Sequence, residues 1–212
     1  MMKKALAALV MSGMMVSAQA GHLLNEGFDD VSTLNGKGWV MTNASTPGGT
    51  TGWYQGAENI FRSLDGAPNS YIAANYYNAP AGGTISNWLI TPEFSLAEGA
   101  IVSFWLRAAD DPGFTDNIAF GFSNGSTDLA AFALTAATTV SSDGWMRYTA
   151  RIDKGAATGN ARFALQYTGA ADTSSYIGLD RLSISEIPEP SSMLILGAGV
   201  MGLVAARRRK RG

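Results

Sequence analysis

The stretch 101-IVSFWLR-107 sets Val102, Phe104 and Leu106 on one face of an extended chain, because successive side chains of a strand point to opposite sides. Residues 145–152 repeat the pattern, with Met146, Tyr148 and Ile152 together and Arg147, Thr149 and Arg151 opposite. Residues 117–122, 161–168 and 176–185 read the same way, and 84–90 and 71–75 are further strand candidates. Turn residues separate them: Gly82-Gly83, Asp111-Pro112-Gly113, Asn124-Gly125 and Asp143-Gly144. No stretch between residues 21 and 187 sustains a helical repeat. Many short strands at this spacing predict an all-β fold, an antiparallel jelly-roll β-sandwich of two sheets.

The flanks differ in kind. Lys3 and Lys4 precede an apolar run over 5–16 and then Ala18-Gln19-Ala20, which predicts a signal peptide over 1–20 cleaved after Ala20. At the other end, Pro188-Glu189-Pro190 leads into an uncharged run over 193–206 and then Arg207-Arg208-Arg209-Lys210-Arg211. That run is shorter than the ~20 residues a membrane span usually needs. With Ser191, Ser192 and snorkelling arginines it reaches across as a short hydrophobic helix, its basic end on the cytoplasmic side. A buried core helix ending in five basic residues would be poor core design. The expected organisation is therefore 1–20 signal peptide, 21–187 sandwich domain and 188–212 C-terminal signal.

The order Pro-Glu-Pro, short hydrophobic helix and terminal arginine cluster resembles the PEP-CTERM sorting signal of Gram-negative bacteria. The resemblance implies that an exosortase, a membrane cysteine protease, recognises Pro188, Glu189 and Pro190, with Arg207, Arg208 and Arg209 completing the signal. It implies a chain exported across the inner membrane, held there transiently by its C-terminal helix, and then released to the cell surface or matrix. It also implies association with extracellular polysaccharide and biofilm.

Charge narrows the partners. Seven of the fifteen basic residues lie in the terminal signals, leaving eight Lys and Arg against sixteen Asp and Glu between residues 21 and 187, a net charge of −8. Without a basic run such a domain is a poor nucleic-acid binder and a reasonable partner for neutral sugars or divalent cations. The chain has no cysteine, so its stability rests on core packing or bound metal, not on disulfides.

Several segments carry a second resemblance: Asn25-Glu26-Gly27-Phe28-Asp29, Gly38-Trp39, Gly52-Trp53, Asn87-Trp88-Leu89-Ile90-Thr91-Pro92, Ser103-Phe104-Trp105-Leu106 and Tyr176-Ile177-Gly178-Leu179-Asp180. In this order they resemble the choice-of-anchor J domain, related to the cleaved-adhesin and MAM-like jelly rolls. That resemblance implies a surface module whose first and last strands lie side by side. It further implies a structural calcium there, with Glu26 and Asp180 as matching acidic residues. Arg181 follows Asp180 where relatives often carry Asp or Asn.

Enzymatic machinery is thin. The single histidine, His22, stands at the start of the expected mature chain, which argues against a Ser-His-Asp triad and against a zinc site. A glycosidase needs two carboxylates flanking the scissile bond. Glu58, Asp65, Asp110, Asp111 and Asp116 are candidates, but no spacing selects a pair, so no catalytic residue is assigned. Trp39, Trp53, Tyr54, Tyr76 and Tyr77 lie in Gly-, Asn- and Thr-rich segments, where rings either stack on sugars or cover one end of a sandwich. Of these, Trp53 and Tyr54 are the expected ligand-binding pair. The sequence therefore predicts a non-enzymatic carbohydrate-binding or adhesive module. A glycan hydrolase and a purely structural or protein-adhesive module are the alternatives.

Overall fold

The alternating stretch at 101–107 lies inside one long strand, and its inward residues Val102, Phe104 and Leu106 are fully buried. The computed structural model describes residues 21–156 and 159–188. Ala18, Ala20, Glu189, Pro190, Arg207, Arg208 and Arg209 lie outside the described residues, while Pro188 is described and exposed. The strands are β1 (His22–Glu26), β2 (Val40–Asn43), β3 (Tyr54–Gln55), β4 (Ile72–Asn75), β5 (Thr84–Ile90), β6 (Phe94–Ser95) and β7 (Ala100–Ala108). After these come β8 (Asn117–Ser123), β9 (Ala133–Leu134), β10 (Thr138–Thr139), β11 (Met146–Ile152), β12 (Asn160–Ala170) and β13 (Tyr176–Glu186).

They form the antiparallel sandwich expected. One sheet runs β11-β7-β13-β4-β3 with β1 also on β13, and the other runs β10-β8-β12-β5-β2 with β6 on β12 and β9 on β8. Between them, Phe104 of β7 meets Phe163 of β12 at 5.3 Å between ring centroids, and Ile177, Leu179, Leu182 and Ile184 of β13 line the same core. Each large apolar side chain buried this way contributes roughly 1.5–3 kcal/mol. Met146 departs from the expected pattern. It opens the edge strand β11 and stays 51% exposed.

The outer face of each sheet is covered as well. Residues 56–70 form a strap over the first sheet, where Phe61 packs on Tyr71 at 5.1 Å, Tyr176 at 5.3 Å and Trp145 at 5.5 Å. Gly178 lies beneath, and a Cβ there would press into the rings of Phe61 and Tyr71 at 2.8 Å. On the second sheet, Phe132 covers Trp88 at 5.8 Å.

β13 organises the first sheet. β7 runs along one side of it, while β4 pairs with residues 176–179 and β1 with residues 182–185 on the other. The side-by-side first and last strands that the jelly-roll resemblance implies are therefore present. Between the β4 and β1 pairings the register shifts, and Arg181 takes a left-handed φ of 49°. Asp180 sits at this break.

Candidate functional site

Glu26 and Asp180, the expected calcium ligands, do meet at the break in β13, where with Asp29 and Asp65 they border a pocket of about 230 Å³. Asp180 is fully buried. Its Oδ2 accepts from the backbone N–H of Leu64 at 2.8 Å and of Asp65 at 3.3 Å, and its Oδ1 from that of Arg181 at 2.7 Å. Burial pushes its carboxyl up to about 6, against the pull of these N–H groups and of the Arg181 charge. Glu26 accepts from Phe28 N–H at 3.0 Å through Oε1 and from the Lys37 ammonium at 3.0 Å through Oε2. Arg181 pairs with Asp65 at 3.1 Å.

Calcium takes six to eight oxygen ligands. Among the described residues no three His, Cys, Asp or Glu side chains converge to hold a metal. The Lys37 ammonium holds Oε2 of Glu26 and the Arg181 guanidinium holds Asp65, so these two cations bring the positive charge that an ion would bring. As folded, these residues do not fit a calcium ion. Nothing in the sequence spacing showed that Lys37, eleven residues from Glu26, would reach its carboxylate.

Trp53 lies elsewhere than the sequence suggested. It is 7% exposed within the main core, and its buried indole N–H has no partner. Tyr54 is half-buried, with its ring edge-on to Tyr176 at 6.2 Å. The Gly- and Thr-rich surroundings of Trp53 read as an exposed loop, but pairing of Tyr54 with Ala73 fixes it to an edge of the sheet and turns Trp53 inward.

The exposed rings are Tyr76 (39%), Tyr77 (52%) and Phe114 (44%), and they line one groove of about 650 Å³. Tyr76 and Tyr77 lie in the 3₁₀ turn Tyr76–Asn78, their ring centroids 4.1 Å apart. The turn is held firmly. Asn75 Oδ1 caps it by accepting from Tyr77 N–H at 3.1 Å, and Tyr76 N–H donates to Ser175 O at 2.9 Å. The fully buried Asn78 donates through Nδ2 to Thr51 Oγ1 at 2.9 Å and accepts from Asn87 Nδ2 at 3.0 Å. Gly49 packs so closely that a Cβ would collide with the Tyr77 carbonyl oxygen. Two exposed aromatics are thereby carried on a rigid base, as a binding surface requires.

Polar groups border these rings. Asp111 Oδ2 accepts from Ser175 Oγ at 3.1 Å, and both oxygens of Asp172 accept from Gly82 N–H at 3.0 Å. Behind the groove, the buried Asp116 accepts from the Tyr167 hydroxyl, from Ser175 N–H at 2.9 Å and from Tyr176 N–H at 3.2 Å. Burial pushes its carboxyl up, opposed by those hydrogen bonds. The five carboxylates weighed for hydrolysis are dispersed. Glu58 is exposed on the strap, Asp65 pairs with Arg181, Asp110 and Asp111 lie beside the groove, and Asp116 is buried behind it.

Comparison with known proteins adds two findings. Residues 186–210 match the PEP-CTERM protein-sorting motif, which marks the chain for export. No curated protein sequence matches the chain. Among solved structures it is similar to the K3 cleaved adhesin domain of Lys-gingipain from Porphyromonas gingivalis, with 21% identity over 79% of this chain and 99% of that one and a TM-score of 0.60. The K1 cleaved adhesin domain of the same protein gives 22% identity, the same coverage and a TM-score of 0.60. An arabinose-bound α-L-arabinofuranosidase, MgGH51, is similar at 13% identity over 78% of this chain but only 26% of that one, with a TM-score of 0.52. At these identities the likeness is one of fold. The chain thus joins a PEP-CTERM sorting motif to a β-sandwich similar in fold to the cleaved adhesin domains.

Proposed function

We propose that this is a non-enzymatic, exported surface or matrix protein whose sandwich binds extracellular polysaccharide through the Tyr76–Tyr77–Phe114 groove. In this reading an exosortase processes the chain near Pro188, and the released domain becomes part of a biofilm matrix. The groove carries the proposal. Solvent-facing aromatic rings on a rigid base offer flat apolar faces to sugar rings, and Asp111 and Asp172 offer acceptors to sugar hydroxyls. A net charge of −8 between residues 21 and 187 favours neutral over polyanionic chains.

Hydrolysis finds little support here. A glycosidase acid must be protonated and open to its substrate. Asp116, the carboxyl raised by burial next to the groove, is 3% exposed and already engaged by three donors.

The test is to mix the full chain, purified in mild detergent, with the producing organism's extracellular polysaccharide, and to follow co-sedimentation and reducing-end release together. Retention without new reducing ends, lost in Tyr76→Ala and Tyr77→Ala, is the expected result. New reducing ends would make the protein a hydrolase. No retention would leave a structural or protein-adhesive role as the better account.

A further inference from the structure

A second cavity of about 390 Å³ adjoins the aromatic groove and shares Tyr76, Asp111 and Ser175 with it. Its far wall holds Arg107, an outward-facing residue of β7 that stands opposite Gly178. Because Gly178 carries no side chain, the Phe61 ring settles beside the guanidinium, whose Cζ lies 4.7 Å from the ring centroid. The cation is thus held in place by the strap.

Apart from that ring, the charge has no anionic partner among the described residues. Arg107 Nε is buried with no hydrogen-bond partner. Other strand arginines are engaged. Arg147 donates to Ser103 Oγ at 2.8 Å, Arg151 pairs with Asp153 at 2.7 Å, and Arg181 pairs with Asp65 at 3.1 Å. Arg162 donates to the carbonyls of Gly125 and Thr91, both at 2.9 Å. Only the Nε donor is lost to water; the terminal N–H groups of this permanently charged guanidinium remain free to meet an acceptor in the cavity.

We infer that Arg107 forms an anion subsite beside the aromatic groove, taking the carboxylate of a uronic-acid residue within an otherwise neutral glycan. The inference rests on the glycan-binding reading of that groove. The planar fork of arginine matches a carboxylate in two parallel hydrogen bonds, and Phe61 pre-orients it. Asp110 and Asp111 border the same cavity but are exposed, so solvent screens their charges while Arg107 stays half-buried. Their oxygens suit the hydroxyls of the same sugar, and their charge, with the acidic surface, opposes ligands bearing a carboxylate on every residue.

The test uses the full chain in mild detergent and pairs of oligosaccharides that differ only in one hexose replaced by its hexuronic acid, in a buffer without carboxylates. The parent protein should bind the uronate member about tenfold tighter, with the preference shrinking as salt is raised. Arg107→Gln should abolish the preference and leave affinity for the neutral member within about twofold. Arg107→Lys, which keeps charge without the fork, should retain part of it. Melting curves establish that each variant folds, and the salt dependence of the parent stands even if Arg107→Gln does not. Equal binding of both members, with loss in Tyr76→Ala, would overturn the Arg107 subsite and keep the groove. A folded Arg107→Gln that loses both members alike would also overturn the subsite. Binding of neither member by the parent would overturn groove and subsite together.

Discussion

Leu64 and Asp180 are 116 residues apart in sequence, yet the backbone N–H of Leu64 donates to Asp180 Oδ2 at 2.8 Å. That bond, with a second from Asp65 N–H at 3.3 Å, ties the strap over the first sheet to the break in β13. The same strap places the Phe61 ring 4.7 Å from the Arg107 guanidinium, so one segment touches both the buried carboxylate and the cation.

Asp180 should make stability depend on pH. Burial raises its carboxyl from 3.8 to about 6, so the folded chain holds that proton more tightly than the unfolded chain does. Its contribution is therefore complete below about pH 4 and is lost as the pH rises to about 6. Asp116, also raised by burial, acts in the same direction. Melting curves of the parent and of Asp180→Asn between pH 3.5 and 7, with chelator present, should differ in slope across this window. Identical slopes would remove Asp180 as the source.

Calcium should leave the melting temperature where it is. Lys37 occupies the oxygen of Glu26 that an ion would need, and Arg181 faces Asp65. Melts in millimolar calcium and in chelator are expected to agree within about a degree. A rise of several degrees would show that the ion displaces Lys37, since a ligand bound only to the folded state stabilises it.

Trp53 and the exposed tyrosines should separate folding from binding. Trp53→Ala removes a core side chain and should cost about 3–5 kcal/mol, seen as a large drop in melting temperature. Tyr76→Ala and Tyr77→Ala remove rings that are 39% and 52% exposed and should leave the melt nearly unchanged while glycan retention falls. Normal retention in both tyrosine variants would show that the groove is not the binding surface.

Gly49→Ala should damage the groove from behind. The new methyl group would collide with the Tyr77 carbonyl oxygen, which accepts from Thr50 N–H at 2.9 Å. A loss of about 1–3 kcal/mol is expected, as for overpacking in a close-packed site, together with weaker glycan retention. A melt and retention equal to the parent's would mean that the 47–52 loop can move away freely.

The long strands were legible because their signal is local. Val102, Phe104 and Leu106 announce a buried face by spacing alone, and β5, β7, β8, β11, β12 and β13 all lie where alternation places them. The two-residue strands β3, β6, β9 and β10 had too few residues to show a period. The candidate site was harder to read. Tyr76 and Tyr77 stood out as loop aromatics, but so did Trp39 and Trp53, which the structure buries at 2% and 7% exposure. Phe114 and Arg107 gave no signal, since an aromatic after a turn glycine and an arginine ending a strand pattern are ordinary features of sequence.

By itself, the sequence determined the all-β class, the acidic surface between residues 21 and 187 and the sorting motif at residues 186–210, because each depends on composition or spacing along the chain. The tertiary structure decided which aromatics face solvent, that Lys37 neutralises Glu26, and that Arg107 lies beside the aromatic groove without an acceptor. Those outcomes depend on contacts between residues 11 to 99 apart in the chain, from Glu26–Lys37 to Tyr76–Ser175. Burial and charge pairing there are set by contacts across space that no local pattern encodes.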